Sequence, residues 1–213
     1  MTVIAIDGTF ASGKGTLGKG LAAHYGLPYL DTGKLYRATA KAVLDAGGDV
    51  ENADDGARGA KSIAAENLSD PILKSGPIGA AASKVSVHPE VRKALFAFQR
   101  DFAAKGGILD GRDIGTVICP DADVKLYVTA SQEERAARRH AELTGYGETL
   151  SVEDVLAQLV ERDTRDSTRA TAPLKPAEDA HLLDTTGMGI AEVLQAAIDI
   201  CDAVLAQNSK TSS

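Results

Sequence analysis

Three glycines and a lysine near the amino terminus are spaced as a grip for phosphate. Residues Thr2-Val-Ile-Ala-Ile-Asp-Gly-Thr-Phe-Ala-Ser-Gly-Lys-Gly-Thr-Leu17 run from a β-branched apolar stretch into a loop with glycine at 8, 13 and 15. The spacing Gly8-x-x-x-x-Gly13-Lys14 is that of a phosphate loop, because glycine removes Cβ atoms where backbone must turn sharply or touch an anion. Backbone N–H groups from Ser12 to Thr16 can then line one concavity, with the positive end of the next helix behind it. Lys14 adds a full positive charge that can follow phosphate oxygens, and the Thr16 hydroxyl can reach a magnesium ion. A strand pattern over Val3–Asp7 and helical spacing over Leu17–His24 separate this segment from an ordinary glycine-rich turn.

Moving a phosphoryl group requires further cations, and arginines supply them in clusters. In Asp31-Thr-Gly-Lys-Leu-Tyr-Arg37, Thr32 could cap the next helix and Arg37 could be a solvated helix residue; alternatively, Arg37 is a bidentate donor to a second phosphate. In Asp110-Gly-Arg-Asp-Ile-Gly-Thr116, Asp110 either makes a simple turn or ends a strand, where it would hold a water of a magnesium shell. Arg112 and Asp113 then fall at the carboxyl edge of the sheet, where open α/β folds bind ligands. In Glu161-Arg-Asp-Thr-Arg-Asp-Ser-Thr-Arg169, a helix would place Arg162, Arg165 and Arg169 on one face with Asp166 beside them. Such a stripe is either a solvated face or the cationic lining of a closing lid, and the same choice applies to Arg135, Arg138 and Arg139.

The elements that must position these residues follow from periodicity. Strands are predicted at Val3–Ile6, Pro28–Leu30, Gly107–Leu109, Val124–Val128 and His181–Leu183. Between and beyond them, helices are predicted at Gly15–His24, Gly33–Leu44, Asp55–Asn67, Ile78–Ser86, Pro89–Ala104, Gln132–Leu143, Val152–Arg165 and Ile190–Gln207. Strands alternating with helices imply crossover units and an α/β fold on a mainly parallel sheet. Residues Gly47 to Gly79, rich in Gly, Asp and Ser, suggest a small inserted subdomain with a turn near Ser75-Gly-Pro77. Thr144–Thr149 and the run Arg162–Pro176 suggest a mobile segment over the site. The small polar residues Asn208 to Ser213 are expected to fray.

Composition narrows the function classes. The 213 residues are 44% hydrophobic but only 4% aromatic, so the core must be built from Ala, Val, Leu and Ile. A net charge of −7 argues against nucleic-acid and anionic-membrane partners, which call for a basic face. Cys119 and Cys201 lack metal-ligand spacing and are expected as buried free thiols. With no signal peptide and no long apolar span in view, the expected compartment is the cytoplasm and the expected state a monomer. The four histidines pair with no nucleophile, so covalent catalysis is not expected.

Taken together, these segments resemble the bacterial cytidylate kinases of the nucleoside monophosphate kinase family of phosphate-loop kinases. The likeness continues through Ala-Ala-Ala-Ser-Lys-Val-Ser-Val-His-Pro-Glu-Val-Arg92, Glu-Glu-Arg-Ala-Ala-Arg-Arg139 and Ala-Pro-Leu174, and so covers most of the chain. The resemblance implies a three-layer phosphate-loop fold with a five-stranded parallel sheet in the order 2-3-1-4-5. It divides one kinase domain into a core at about 1–44, 86–143 and 177–207, a short monophosphate-binding insert at about 45–85, and a helical lid at about 144–176. The implied reaction is ATP with CMP or dCMP, supported by Mg2+. ATP would be held by Gly8, Thr9, Phe10, Ala11, Ser12, Gly13, Lys14, Gly15 and Thr16, with Arg138. CMP would be held by Thr32, Arg37, Ser83, Arg92, Arg112, Asp113, Arg162 and Asp166. Among these, Ser83, Arg92 and Asp113 would read the cytosine edge, although by position alone Ser83 and Arg92 could be helix-surface residues. Thr32 and Asp166 would contact the sugar. Lys14, Arg112, Arg162 and Arg169 would serve the transfer itself, and Thr16 with Asp110 (through water) the metal.

Two departures from that family stand out. Phe10 is bulky for a loop interior in which relatives carry small residues. The insert is too short for the strands that longer relatives place there. The acceptor could therefore be UMP or another small molecule, and a nucleotide sensor without turnover is a further alternative.

Overall fold

The computed structural model describes residues 1–211. Among them, β1 (Val3–Gly8), β2 (Tyr29–Asp31), β3 (Gly107–Asp110), β4 (Val124–Thr129) and β5 (His181–Asp184) form one sheet in the order β2-β3-β1-β4-β5. Every pairing is parallel, as strands joined by helical crossovers demand. The expected sheet order is therefore observed. Four strands contain their predicted apolar runs and β2 starts one residue later than expected, at Tyr29; β1 is buried continuously from Ile4 to Gly8, as a central strand covered on both faces must be.

The helices are α1 (Lys14–Tyr25), α2 (Thr32–Asp45), α3 (Ala53–Lys61), α4 (Gly76–Val85), α5 (Pro89–Ala103), α6 (Gln132–Gly145), α7 (Val152–Thr168) and α8 (Ile190–Thr211). Their ends follow local chemistry. Asn52 accepts the N–H groups of Asp54 and Asp55 to start α3, and Ser151 with Asp154 forms a capping box on α7. Gly26 closes α1 in the left-handed conformation. No helix of the described residues is long and apolar enough to cross a membrane.

The chain divides into two compact units. The first comprises Met1–Asp31, Arg100–Arg135 and the residues from Leu174 onward; it carries the sheet, α1 and α8. Its core joins Ile4, Ile6, Ile108, Leu126 and Val128 of the sheet to Leu17 and Leu21 of α1 and to Ala197, Ile198 and Cys201 of α8. The second unit comprises Thr32–Gln99 and Ala136–Pro173. Leu35, Val43, Ala81, Val85, Val91 and Leu95 centre one of its clusters, and Ala136, Leu143 and Val155 another. Both cores are aliphatic, as the scarcity of aromatic residues requires.

Several boundaries differ from the sequence reading. The turn expected near Ser75-Gly-Pro77 is the start of α4, with Pro77 in the first turn, where its missing N–H costs nothing. Instead of one helix to Asn67, α3 ends at Lys61, and short 3-10 turns follow at Ala65–Ser69 and Pro71–Lys74. Asn208 to Thr211 are not frayed but continue α8, where the Asn208 amide donates to the Asp123 carbonyl at 3.2 Å; Ser212 and Ser213 lie outside the described residues.

Gly18 and Gly20, which interrupt a helix at some cost, are explained by packing. A Cβ on Gly20 would stand 2.9 Å from Leu194 of α8, and one on Gly18 would stand 2.5 Å from the Tyr29 ring. That ring cannot swing aside without loss, because its hydroxyl donates to Asp110 Oδ2 at 2.7 Å. Gly18→Ala gains helix propensity but overpacks this notch, so it is expected to lower the unfolding free energy by about 1–2 kcal/mol. Urea denaturation at unchanged m value measures this; a variant as stable as the parent would show that the ring yields.

Candidate functional site

The loop after β1 belongs to the first unit and is built around close backbone approach. Gly8 has φ +149°, and a Cβ there would lie 1.9 Å from the Val128 carbonyl oxygen of β4. No other residue fits that seat. Thr9 N–H donates to the same carbonyl at 3.2 Å, Gly13 turns left-handed at φ +90°, and α1 starts at Lys14. Ala11 holds φ +60°, an uncommon value for a residue with a side chain. The Lys14 ammonium donates to the Thr9 carbonyl at 2.6 Å and lies 3.4 Å from Ser12 Oγ, so the cation sits within the loop.

Arg135 holds the same loop from outside. It is only 3% exposed; its Nη1 donates to the Phe10 carbonyl at 3.0 Å and its Nε to the Ala130 carbonyl at 2.9 Å. A helix-surface reading of Arg135 therefore fails. Phe10 is seated by its main chain, which accounts for a bulky residue in a loop whose path is set elsewhere.

Two carboxylates end neighbouring strands, since Asp31 of β2 pairs in register with Asp110 of β3. Burial first, and the Asp31 charge second, push the Asp110 carboxyl up to about 6, against the pull of Lys14, the Tyr29 hydroxyl and Arg112. Among the described residues no cluster of three or more His, Cys, Asp or Glu side chains could cage a metal. The donor set fits Mg2+ instead, which keeps most of its waters and takes one or two carboxylates together with substrate phosphates. Asp110 and Asp31 are such carboxylates, and the exposed Thr16 is on the first turn of α1, where Gly15 comes close to Asp110.

Asp7, which the sequence reading left within the strand, has a task of its own. Its two carboxylate oxygens accept the N–H groups of Ile114 and Gly115, each at 2.7 Å. These open a π-helical turn, Ile114–Ile118, directly after Arg112 and Asp113. Arg112 Nη1 donates to the Gly111 carbonyl at 3.0 Å, and Asp113 is buried. Burial pushes the Asp7 carboxyl up to about 6, with the Gly115 and Ile114 N–H groups restraining the rise.

In the second unit, arginines gather around α4. Arg37 Nη1 donates to the Leu73 carbonyl at 2.7 Å, and Arg162 Nη1 to the Gly79 carbonyl at 3.4 Å. A Cβ on Gly79 would lie 3.9 Å from Arg37 Nη2 and 3.8 Å from Arg139 Nη2. Ser83, one turn further along α4, accepts from Arg165 Nη1 at 2.7 Å, and Arg165 also bonds Glu161. Arg92 donates to the Ser86 carbonyl at 3.2 Å, with its guanidinium 5.4 Å from the centre of the Tyr36 ring. Ser83 and Arg92 are 2% and 8% exposed, so their helix-surface alternative fails as well. Asp166 is buried, with Arg162 Nε and Arg169 Nη1 each at 3.9 Å from one of its oxygens. Arg169 does not share the α7 face as its spacing implied: it is the C-cap, in extended conformation, and its Nε donates to the Ala172 carbonyl at 2.8 Å. Thr32 is buried at the first position of α2.

The remaining arginine of α6, Arg138, is half-buried. Cys119 and Cys201 are buried free thiols, as expected, and burial foremost pushes Cys201 up to about 12. Asp7, Asp31, Arg135, Arg139 and Arg165 are what the sequence left unassigned. For Asp31, strand register was the one available signal.

Comparison with known proteins places this geometry among relatives. The cytidylate kinase family pattern matches residues 4–203. A cytidylate kinase of Rhodopseudomonas palustris is 55% identical over 206 residues, covering 96% of this chain and 97% of the relative. A cytidylate kinase of Methylobacterium sp. is 58% identical over 180 residues, covering 84% of this chain and 86% of its own. Among solved structures, a gluconokinase from Sinorhizobium meliloti superposes with a TM-score of 0.53 at 16% identity, covering 100% of this chain and 97% of that one. An uncharacterized protein from Eubacterium ventriosum gives a TM-score of 0.57 at 15% identity, covering 95% and 98%. At those identities the two structures speak for the fold alone.

The raised Asp7 carboxyl gives a pH signature. Between about pH 4 and 6 the folded chain keeps this proton while the unfolded chain has lost it, so the group's contribution to stability falls as pH rises. The full effect is about 3 kcal/mol. Asp7→Asn has no such proton. Its unfolding free energy, subtracted from that of the parent at pH 4, 5, 6 and 7, should give a difference that shrinks by about that amount toward pH 7. A difference independent of pH would show that Asp7 ionises normally.

Proposed function

The chain belongs to the cytidylate kinase family, and on that footing we propose that it transfers the γ-phosphoryl group of ATP to CMP or dCMP, giving ADP and the corresponding diphosphate. The observation that carries this reading is that one chain holds two phosphate grips: the loop at Gly8–Thr16, and the arginines around Gly79. A nucleotide sensor would need only the first.

In this reading Lys14 and the loop N–H groups hold the ATP phosphates, with Arg138 on the same substrate. Arg37, Arg112 and Arg162 take the CMP phosphate. A CMP phosphate oxygen attacks the γ-phosphorus in line; that P–O bond forms as the bond to the β-phosphate oxygen breaks, and ADP departs with the electron pair. No residue is acylated or phosphorylated. Catalysis is positioning and charge stabilisation, with Arg162 and Arg169 drawing charge from the transferring group. Thr16 and, through water, Asp110 would hold Mg2+, which would offset the charge of the donor phosphates. We assign the insert to about 45–85 and the lid to about 144–176.

Cytosine presents an amine donor beside an acceptor nitrogen, whereas uracil reverses both. A carboxylate and an arginine, Asp113 and Arg92, match cytosine, and Ser83 completes the edge. Thr32 and Asp166 take the sugar. We infer that the enzyme works as a monomer. We place it in the cytoplasm, where ATP is available and its two cysteines stay reduced.

A coupled ADP-release assay across CMP, dCMP, UMP, AMP and GMP should give its highest kcat/KM with CMP and dCMP; equal turnover of AMP or UMP would overturn the specificity. Asp113→Ala is expected to lose about 1–3 kcal/mol of cytosine-over-uracil discrimination. Unchanged base preference would remove Asp113 from the base-reading set.

A further inference from the structure

The second unit places three guanidiniums around one bare residue of α4. Arg37 comes from α2, Arg139 from α6 and Arg162 from α7, and all three reach Gly79. Guanidinium groups do not deprotonate in proteins, so gathering them in a partly desolvated place is unfavourable unless anions share the space. Two carboxylates of the unit do so in part. Glu142 accepts Arg139 Nη1 at 2.7 Å, and Asp166 lies 3.9 Å from Arg162 Nε.

Glu142 engages Arg139 by Nη1, and the other end, Nη2, is the one that comes 3.8 Å from where a Gly79 side chain would begin. Arg37 is arranged alike: Nη1 on the Leu73 carbonyl and Nη2 toward Gly79. Each fork thus has one nitrogen on a partner within the unit, and the other comes close to the same point. Arg139 is 5% exposed, which sets it apart from a solvated helix arginine.

We propose that Arg139 is a further arginine on the phosphate of the acceptor nucleotide, joining Arg37, Arg112 and Arg162. A phosphomonoester has three terminal oxygens, each able to accept more than one donor, so arginine forks approaching from three helices of this unit can share it. Gly79 is suited to this because a side chain there would occupy the space the phosphate needs. The proposal rests on the assignment of Arg37 and Arg162 to the CMP phosphate.

The test is calorimetric titration of the intact enzyme with CMP and with cytidine, which lacks the phosphate. Arg139→Met should weaken CMP binding by about 10–100-fold, the scale of one hydrogen bond to a charged group. Cytidine binding and the KM for ATP should stay as they were. Glu142→Gln, which removes only the neighbouring carboxylate charge, should leave the CMP-to-cytidine ratio near that of the parent. Should Arg139→Met not fold, Arg139→Lys carries the same test, since a point charge does not replace the fork. Equal weakening of CMP and cytidine, an effect on ATP alone, or an unchanged ratio would each overturn the proposal. Arg37→Met separates the two levels. If it collapses the ratio while the Arg139 variants do not, only Arg139 is misassigned; if it too leaves the ratio unchanged, the acceptor-phosphate reading itself fails.

Discussion

The first unit depends on how closely β1 and β4 approach at the point where the chain leaves the sheet. The 1.9 Å that would separate a Gly8 Cβ from the Val128 carbonyl forces glycine at that position, and the same carbonyl accepts Thr9 N–H. From that contact the loop takes its path, Lys14 is drawn inward onto the Thr9 carbonyl, and α1 is launched with its amino end facing the loop. One residue earlier, Asp7 reaches the other way and secures the turn after Arg112 and Asp113. Two consecutive residues at the end of one strand therefore fix both the glycine-rich loop and the segment carrying the strand-end arginine and aspartate.

The second unit works differently, because its cations are held by helix ends, carbonyls and carboxylates instead of by a sheet. Arg37 is fixed by a 3-10 turn, Arg162 and Arg165 by α4, and Arg169 by the chain just beyond α7. A protein of net charge −7 thus gathers several arginines in one place, where Glu142 and Glu161 pair with Arg139 and Arg165 and buried Asp166 lies beside two more. Local charge and net charge have opposite signs, and it is the local one that an anionic substrate meets.

What the sequence made legible was set by local rules. β1 and β4 are rich in β-branched residues and β2, β3 and β5 are short apolar runs, and apart from α3 the strands and helices could be read close to their true limits. The phosphate loop was legible because its glycines answer a steric need at fixed spacing. Asp7 was not, since the N–H groups it accepts belong to Ile114 and Gly115, far along the chain. Arg139 looked like one of several helix arginines, and only its burial and its approach to Gly79 distinguish it. Ser75-Gly-Pro77 was misread although proline in a first helical turn is a known starting signal. Gly18 lowers helix propensity, and the residue that requires it, Tyr29, belongs to the next strand and not to the helix itself.

The order of strands also bears on how the chain comes to be folded. β1 precedes the other strands of the sheet in the chain, yet it sits at the centre: Val3 pairs with Gly107 and Ile4 with Val124. Its two neighbours, β3 and β4, come far later in the chain, so neither flank is filled until they are available. The residues between are mostly helical and can form short-range contacts in the meantime. Assembly of the sheet is thus the non-local, late step, and the phosphate loop gains its shape only when β4 supplies the Val128 carbonyl.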